Sequence, residues 1–211
     1  RGQIIKFARD VIWGGSRGIG LGCAVALAEA GAHVVICARD PDQLAEATDQ
    51  MRAKGHSAEH ISLDVTDLDA TRAAIADQRY DIMVNSAGVA RHSAVLDTQA
   101  ADFDAVIAVN IRAAYFLAAE AARGMVGRGG SIIQVSSQMA HVGGVDRAVY
   151  CVSKHAVEGM TKSMAIEWGP HNIRVNTICS TFIRTPLTEP IFSDLEEMAW
   201  VKSKIKLSRT G

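Results

Sequence analysis

The chain has 211 residues, 48% of them hydrophobic, which is enough to bury one substantial core, so we expect one α/β domain spanning residues 1–211. Its formal net charge is −1 with both signs interspersed, which argues against a nucleic-acid or membrane-surface partner. The apolar runs are strand-length, far short of the ~20 residues that span a bilayer, and no charged-then-apolar leader opens the chain, so the sequence predicts a cytoplasmic protein.

Strand-like apolar runs alternate with helical patterns along the chain, which predicts βαβ units around a doubly wound parallel sheet. The first predicted strand ends at residue 13. The other five cover residues 33–37, 60–63, 81–84, 132–135 and 174–178. The predicted helices cover 19–30, a segment opening at Pro41, a segment capped by Thr66, 101–126 and 149–167. We expect the last of these helices to end through a left-handed Gly169 before Pro170.

The four cysteines, Cys23, Cys37, Cys151 and Cys179, are scattered without Cys-x-x-Cys spacing. This pattern favours reduced thiols packed in the core and predicts neither a disulfide framework nor a metal site.

Gly14, Gly18 and Gly20 lie between the first predicted strand and the first predicted helix. Glycines there let the backbone turn sharply and approach a pyrophosphate, to which the helix amino terminus presents free N–H groups. A glycine turn can also serve the fold alone, but this position favours a dinucleotide site.

The residues after the second predicted strand predict which dinucleotide binds. Enzymes that prefer NAD often place an acid there, whereas this chain has Ala38 and Arg39, with no acid until Asp40. Arg17 and Arg39 can together bind a 2′-phosphate, which predicts NADP(H). Asp40 carries the competing NAD(H) interpretation.

Tyr150 and Lys154 are four residues apart on the predicted 149–167 helix, so both can face one cleft. A phenol titrates near ~10, and a fixed cation beside it lowers that pKa, which suits a general acid or base. Ser137 follows the 132–135 strand, where its hydroxyl could hydrogen-bond a substrate carbonyl, and Ser136 is its rival for that role. An ordinary amphipathic helix is the alternative explanation.

Together these features resemble the short-chain dehydrogenase/reductase superfamily, whose pattern is Ser followed by Tyr-x-x-x-Lys. The resemblance covers nearly the whole chain. Its landmarks, in chain order, are the glycine loop 14–20, Asp64-Val65-Thr66-Asp67, Asn85-Ser86-Ala87-Gly88, Asn110, 173–176 and 184–186.

The resemblance implies a Rossmann-like fold and hydride transfer between a nicotinamide and a carbonyl or alcohol carbon. Tyr150 would exchange the hydroxyl proton, and Ser137 would orient the carbonyl. Lys154 would lower the tyrosine pKa and bind the nicotinamide ribose. Asn110 would hold a water that relays protons from Lys154; the alternative is an asparagine that only satisfies backbone groups inside its helix.

The resemblance also implies a set of cofactor contacts that runs from the glycine loop to the nicotinamide. These residues are Gly14, Ser16, Arg17, Gly18, Ile19, Gly20, Arg39, Asp64, Val65, Asn85, Ala87, Gly88, Tyr150, Lys154, Ile183 and Thr185.

The substrate is less well defined by the sequence. The polar residues His92, Gln138 and His141 suit a keto-sugar or polyol, whereas the apolar residues between 187 and 200 would suit a 3-oxoacyl thioester or simply pack a lid. A non-catalytic dinucleotide-binding redox sensor or scaffold is the alternative from another class. By resemblance we expect a homodimer or homotetramer that packs through the 101–126 and 149–167 helices.

The chain departs from the family pattern at a few positions. Trp13 stands where the family has threonine, Ser86 replaces the second asparagine of its NNAG motif, and Ser180-Thr181 replaces Pro-Gly. The chain ends at Gly211, whereas family members normally continue through another helix and a final edge strand. We therefore expect the sheet to lack that strand.

Overall fold

The computed structural model describes residues 8–76, 78–186, 188–205 and 210, and its strands form one six-stranded, all-parallel sheet. The strands are β1 (Arg9–Trp13), β2 (His33–Ala38), β3 (Ala58–Ser62), β4 (Ile82–Asn85), β5 (Gly130–Val135) and β6 (Ile173–Ile178). The helices are α1 (Gly18–Glu29), α2 (Pro41–Ala53), α3 (Leu68–Ile75), α4 (Ala100–Ile107), α5 (Ala114–Met125), α6 (Ala148–Trp168), α7 (Glu189–Ser193) and α8 (Leu195–Lys204).

The strand order is β3-β2-β1-β4-β5-β6, so the direction of winding reverses between β1 and β4. In such sheets, ligands bind beyond the carboxyl ends of the strands at this reversal. The Rossmann-like prediction is confirmed, and the described residues place β3 and β6 at the two edges.

Two apolar cores lie on opposite faces of the sheet. On one face, Ile12, Val34 and Ile36 of the strands pack with residues of α1 and α2 such as Ala24 and Leu44. On the other face, strand residues that include Trp13, Met83 and Ile132 pack against α3, α5 and α6 through residues that include Leu117 and Met164. Alternation along β1 sends Ile12 to the first core and Trp13 to the second, as the two-residue period of a strand requires.

Trp13 is fully buried. Its ring belongs to the core that α5 and α6 cover, so the fold accommodates an indole where the family pattern has threonine. The indole Nε1 has no hydrogen-bond partner among the described residues, and an unsatisfied buried donor costs about 1–3 kcal/mol.

The structure differs from the sequence prediction at several element ends. Asp67, not Thr66, caps α3, since its carboxylate accepts from the Ala70 N–H at 3.0 Å. The Thr66 hydroxyl donates instead to Asp64 Oδ1 at 2.8 Å. Gly169 is right-handed with φ −52° and begins a 3₁₀ turn, while Asn172 takes the left-handed conformation with φ 58°.

The predicted 101–126 helix is a nearly continuous helical stretch over residues 100–125, with a π-helical turn at residues 108–113. By length and composition alone this stretch could span a membrane, although polar residues such as Asp104, Arg112 and Glu120 interrupt its apolar runs. Its residues Val106, Leu117 and Met125 are fully buried inside the protein. The stretch therefore packs as a core helix against β4 and β5.

Candidate active site

The β1–α1 turn is built by glycines that have no room for a side chain. Gly14 has φ +73°, and a Cβ there would lie 2.7 Å from the Ala87 backbone nitrogen. A Cβ on Gly20 would collide with the Gly14 carbonyl oxygen. Gly18, at φ +58°, opens α1. The glycine loop thus packs tightly on the segment after β4 and leaves the α1 amino terminus facing the cleft beyond the strand ends.

A cleft of about 620 Å³ lies at the carboxyl ends of the strands and contains most of the predicted cofactor contacts. The predicted residues that line it are Gly14, Ser16, Arg17, Gly18, Ile19, Arg39, Asp64, Val65, Ala87, Gly88, Tyr150, Lys154 and Thr185. Sequence reasoning missed other residues of its wall, among them Gln43, Val89, Val109, Val135 and Pro186.

Three predicted contacts, Gly20, Asn85 and Ile183, do not line the cleft. Gly20 acts by allowing close packing on Gly14. The buried Asn85 side chain donates to Gln134 Oε1 at 2.8 Å and accepts from the Ala87 N–H at 3.1 Å. The Ile183 carbonyl accepts from the Thr188 hydroxyl at 2.6 Å. In this structure these three residues support the residues that line the cleft and do not line it themselves.

Asp40, the competing NAD determinant, has its carboxylate engaged within its own helix. Its Oδ1 accepts from the backbone N–H groups of Asp42 and Gln43, and its Oδ2 accepts from the Gln43 side chain at 2.7 Å. It is thus the N-cap of α2. Arg39 is largely exposed beside the cleft, and its Nη1 lies 3.9 Å from Asp64 Oδ2 in a long ion pair. The exposed Arg39 guanidinium can therefore bind an anion, whereas the Asp40 carboxylate caps α2.

Helix α6 places Tyr150 and Lys154 one turn apart at the end of the cleft. Lys154 Nζ donates to the Val135 carbonyl at 2.8 Å and lies 5.6 Å from the centroid of the Tyr150 ring. Burial lowers the pKa of Lys154 to about 8. The lysine is therefore poised to titrate much closer to neutral pH than a lysine in water.

The net shift of the Tyr150 pKa is opposite to the one expected from the sequence. Burial raises it, while a hydrogen bond with Ser137 and the charge of Arg147 act in the opposite direction. Lys154 was expected to lower this pKa, but its ammonium is directed to the Val135 carbonyl. The serine that acts on the Tyr150 pKa is Ser137, whose Oγ also accepts from the Met139 N–H at 3.1 Å. Its rival Ser136 is the one that lines the cleft.

Asn110 lies in the π-helical turn and is buried. Its Oδ1 accepts from the Val89 N–H at 2.9 Å, and its Nδ2 donates to the Val89 carbonyl at 2.9 Å and to Ser153 Oγ at 3.0 Å. The side chain therefore ties the segment after β4 to α6. π-Helical turns occur often at functional sites, and this one places an amide next to the helix that carries Lys154.

Arg147 and His92 lie together beside Tyr150, a contact that the sequence did not predict. Arg147 Nη1 is 3.0 Å from His92 Nε2, and the His92 ring meets the Tyr150 ring edge-on at 6.0 Å between centroids. Burial and the Arg147 charge lower the His92 pKa, which favours the neutral imidazole. Within the described ranges, Arg147 forms no ion pair with a carboxylate.

The predicted lid segment forms α7 and α8, and the first residue of that segment, Leu187, lies outside the described residues. A smaller cavity of about 300 Å³ lies between α7, α8 and the residue that precedes α6. Its lining residues are Arg147, Phe182, Ile191, Glu196, Glu197, Trp200 and Val201. Arg147 thus connects this cavity to the surroundings of Tyr150.

Known proteins agree with this architecture. Gluconate 5-dehydrogenase of Gluconobacter oxydans is 33% identical over 210 residues, which is 97% of this chain and 82% of the relative. L-Xylulose reductase of Bos taurus is 34% identical over 204 residues, which is 95% of this chain and 82% of that enzyme. The solved structure of a gluconate 5-dehydrogenase from Burkholderia cenocepacia, in complex with NADP and tartrate, superposes with a TM-score of 0.93 at 31% identity and covers 100% of this chain and 86% of its own. The short chain dehydrogenase profile matches residues 10–196, and the chain belongs to that family.

Proposed function

We propose that this protein is an NADP(H)-dependent oxidoreductase that interconverts a carbonyl and a secondary alcohol, with Ser137, Tyr150, Lys154 and Asn110 as its catalytic set. The observation that carries the proposal is that Tyr150 and Lys154 line the cleft that the glycine loop opens, with Ser137 close enough to the phenol for its hydroxyl to act on the Tyr150 pKa. NADP(H), when bound along that cleft, supplies or accepts the hydride.

The protonation states of Tyr150 and Lys154 favour proton donation to a carbonyl oxygen. Because burial raises the Tyr150 pKa, the phenol is protonated at neutral pH and can donate to the oxygen of a carbonyl as it is reduced. Ser137 would hold that oxygen by a second hydrogen bond. Lys154, with a pKa of about 8, would return a proton toward the tyrosine, and Asn110 would keep the Val89 segment in place beside it.

The preference for NADP(H) is supported by the two arginines and by the capping role of Asp40. Arg17 and Arg39 line the same cleft, and paired guanidinium groups suit a 2′-phosphate. The Burkholderia relative was solved with NADP. We expect NADPH to saturate the enzyme at a concentration about tenfold or more below that of NADH, corresponding to at least about 1.4 kcal/mol of added binding. Titration of nicotinamide fluorescence measures both affinities, and tighter binding of NADH would refute the cofactor assignment.

For the substrate we propose a keto-sugar acid or a related polyol rather than a 3-oxoacyl thioester. Arg147 is half-buried beside Tyr150, and among the described residues its guanidinium bonds only the neutral His92, so it can donate to a carboxylate in bidentate geometry. The names of the relatives, gluconate 5-dehydrogenase and L-xylulose reductase, fit a polyhydroxylated substrate.

The test is NADPH oxidation in the presence of a 5-keto-hexonate, an uncharged ketose and a 3-oxoacyl thioester. We expect the keto acid to be reduced with the highest kcat/KM. In Arg147→Gln we expect the KM for the keto acid to rise about tenfold or more, since a charge-assisted pair contributes about 1.5–3 kcal/mol, with a smaller change for the ketose. Arg52→Gln, at an exposed arginine of α2 that lies 3.9 Å from Asp49, is the matched control; Arg91 does not serve as one, because the sequence predicts that it lines the substrate pocket. Turnover of the thioester alone would reject the substrate class.

The non-catalytic alternative makes a different prediction for the same assays. A redox sensor would bind NADPH but reduce no carbonyl across a broad screen.

The proposed oligomer rests on exposed apolar side chains of α4, α5 and α6, namely Phe103, Tyr115, Phe116, Val152 and Ile166. Such a surface fits an interface with a second copy, and light scattering that gives a monomer mass would remove that proposal. The cytoplasmic location stays a prediction.

A further inference from the structure

Three side chains with metal-binding atoms meet beside the catalytic helix, outside the residues that line the cofactor cleft. They are His141, Glu158 and Cys179, and their ligand atoms all lie within 4.8 Å of one another. His141 Nε2 is 3.3 Å from Cys179 Sγ, and that sulfur is 3.3 Å from Glu158 Oε1. We propose that these residues form a zinc-binding site.

The distances between the ligand atoms match those required around zinc. With Zn–N, Zn–S and Zn–O bonds of about 2.0–2.3 Å, ligands in tetrahedral positions are separated by about 3.3–3.6 Å. Both separations measured from Cys179 Sγ have values of 3.3 Å. The third separation, between His141 and Glu158, is no more than 4.8 Å, so an ion could replace the protons of this network after a shift of the exposed His141 side chain.

The donor set also suits zinc rather than a hard cation. Imidazole and thiolate ligands favour zinc over magnesium or calcium, and the thiolate and carboxylate charges together balance a divalent ion. Glu158 is 8% exposed, and its Oε2 accepts from the Thr177 hydroxyl at 3.2 Å. That bond orients the carboxylate so that Oε1 faces the sulfur, as outer-shell partners of metal ligands do. His141 and Cys179 are exposed, which leaves an entry path and an open position for water.

The site joins the segments that carry the proposed catalytic residues. Glu158 lies one turn after Lys154 on α6. Cys179 follows β6 directly and precedes Ser180, which lines the cleft. His141 ends the short turn that begins after Ser137, and the Gln138 N–H in that turn donates to the Ser180 carbonyl at 3.0 Å. Zinc bound here would clamp the Ser137 segment to the end of β6 and stabilise both.

The experiment is titration of the tag-free, reduced, chelator-treated chain with Co²⁺, which serves as a spectroscopic probe for a zinc site, followed by competition with Zn²⁺. We expect visible bands of tetrahedral intensity, a near-ultraviolet thiolate-to-cobalt charge-transfer band, and loss of both on adding Zn²⁺. Zn²⁺ should also raise the melting temperature in proportion to its free concentration, since it binds the folded state. The absence of a charge-transfer band would overturn the proposal.

The variants separate this site from binding elsewhere. Cys179→Ser should abolish the charge-transfer band, and His141→Asn and Glu158→Gln should each weaken Co²⁺ binding about tenfold or more, since even outer-shell changes cost that much. Cys23→Ser and His56→Asn are the matched controls and should bind like the unaltered chain. Because His141 is exposed, His141→Asn tests the site even if Cys179→Ser folds poorly. Retention of the band in Cys179→Ser, or unchanged affinity in His141→Asn, would refute the assignment. NADPH binding in the same samples reports on the proposed oxidoreductase function separately.

Discussion

The two ends of the sheet use polar residues in opposite ways. At the carboxyl ends of the strands, Tyr150, Lys154 and Arg39 line an open cleft. At the amino ends, charged residues form ion pairs with one another: Arg9 pairs with Glu59 at 3.2 Å, and Arg128 pairs with Asp81 at 3.2 Å. Buried among these strand starts is Asp10, whose carboxylate forms no well-aligned hydrogen bond with the described residues.

This difference shows that burial alone does not mark a functional residue in this protein. Asp10 and Lys154 are both buried and both have shifted pKa values. Only Lys154 lies at the end of the sheet where winding reverses and a cleft opens. We therefore expect substitutions at the carboxyl end to change catalysis or cofactor binding, and substitutions at the amino end to change stability and its pH dependence.

The largest effect is expected for Tyr150→Phe at the carboxyl end. Removing the hydroxyl removes the proton donor, so kcat should fall about 10²- to 10⁴-fold while NADPH affinity and melting temperature change little. Steady-state kinetics and fluorescence titration measure the two quantities. Tyr115→Phe, on the exposed face of α5, is the control and should keep full activity. A fully active Tyr150→Phe enzyme would disprove the mechanism.

The amino end should respond to pH through Asp10. Burial, with repulsion from Asp81 as the second cause, raises the pKa of Asp10 from its ordinary 3.8 to about 7. The folded state therefore binds this proton more tightly than the unfolded state. The contribution of this proton to the free energy of unfolding is fully present below about pH 4. It is lost as the pH rises through about 7, at up to about 1.4 kcal/mol per pH unit.

Asp10→Asn should remove that pH dependence. Denaturant unfolding between pH 5 and pH 8 should show the free energy of unfolding of the unaltered chain falling by about 2–3 kcal/mol, and that of Asp10→Asn staying nearly flat. Asp104→Asn, at an exposed position on α4, should behave like the unaltered chain. Equal slopes for Asp10→Asn and the unaltered chain would show that Asp10 is not the titrating group. The rate of carbonyl reduction by Asp10→Asn at a fixed pH should equal that of the unaltered chain, in contrast to Tyr150→Phe.

A smaller effect is expected from one methyl group in the glycine loop. Gly20→Ala places a Cβ against the Gly14 carbonyl, so we expect a loss of about 1–3 kcal/mol in stability and weaker NADPH binding, because the loop must shift. Gly22→Ala lies on the same helix with no atom within 4 Å of the added Cβ. That variant should be stabilised by about 0.5–1 kcal/mol, and NADPH binding should be unaffected. If both variants bind NADPH equally well, the loop is not the pyrophosphate site.

Sequence reasoning predicted more of the cofactor half than of the catalytic half. The glycine loop is readable because sharp turns and close backbone contacts require a specific residue type at each position. The net direction of the Tyr150 pKa was not readable, since it depends on burial and on whether Lys154 faces the phenol or the Val135 carbonyl. The same limit explains the end of α6, where the left-handed residue is Asn172 and not Gly169.

The sequence by itself determined the parallel α/β order, the glycine turn, and the placement of Tyr150 and Lys154 on one helix face, because each of these follows from local periodicity or from a residue type that the backbone needs. Only the tertiary structure decided which distant side chains meet. It turned the Asp40 carboxylate into a helix cap, placed Arg147 on His92, and joined His141, Glu158 and Cys179 across 38 residues of sequence. Contacts of this kind depend on how the helices and loops pack over the strands, and no local pattern in the chain encodes them.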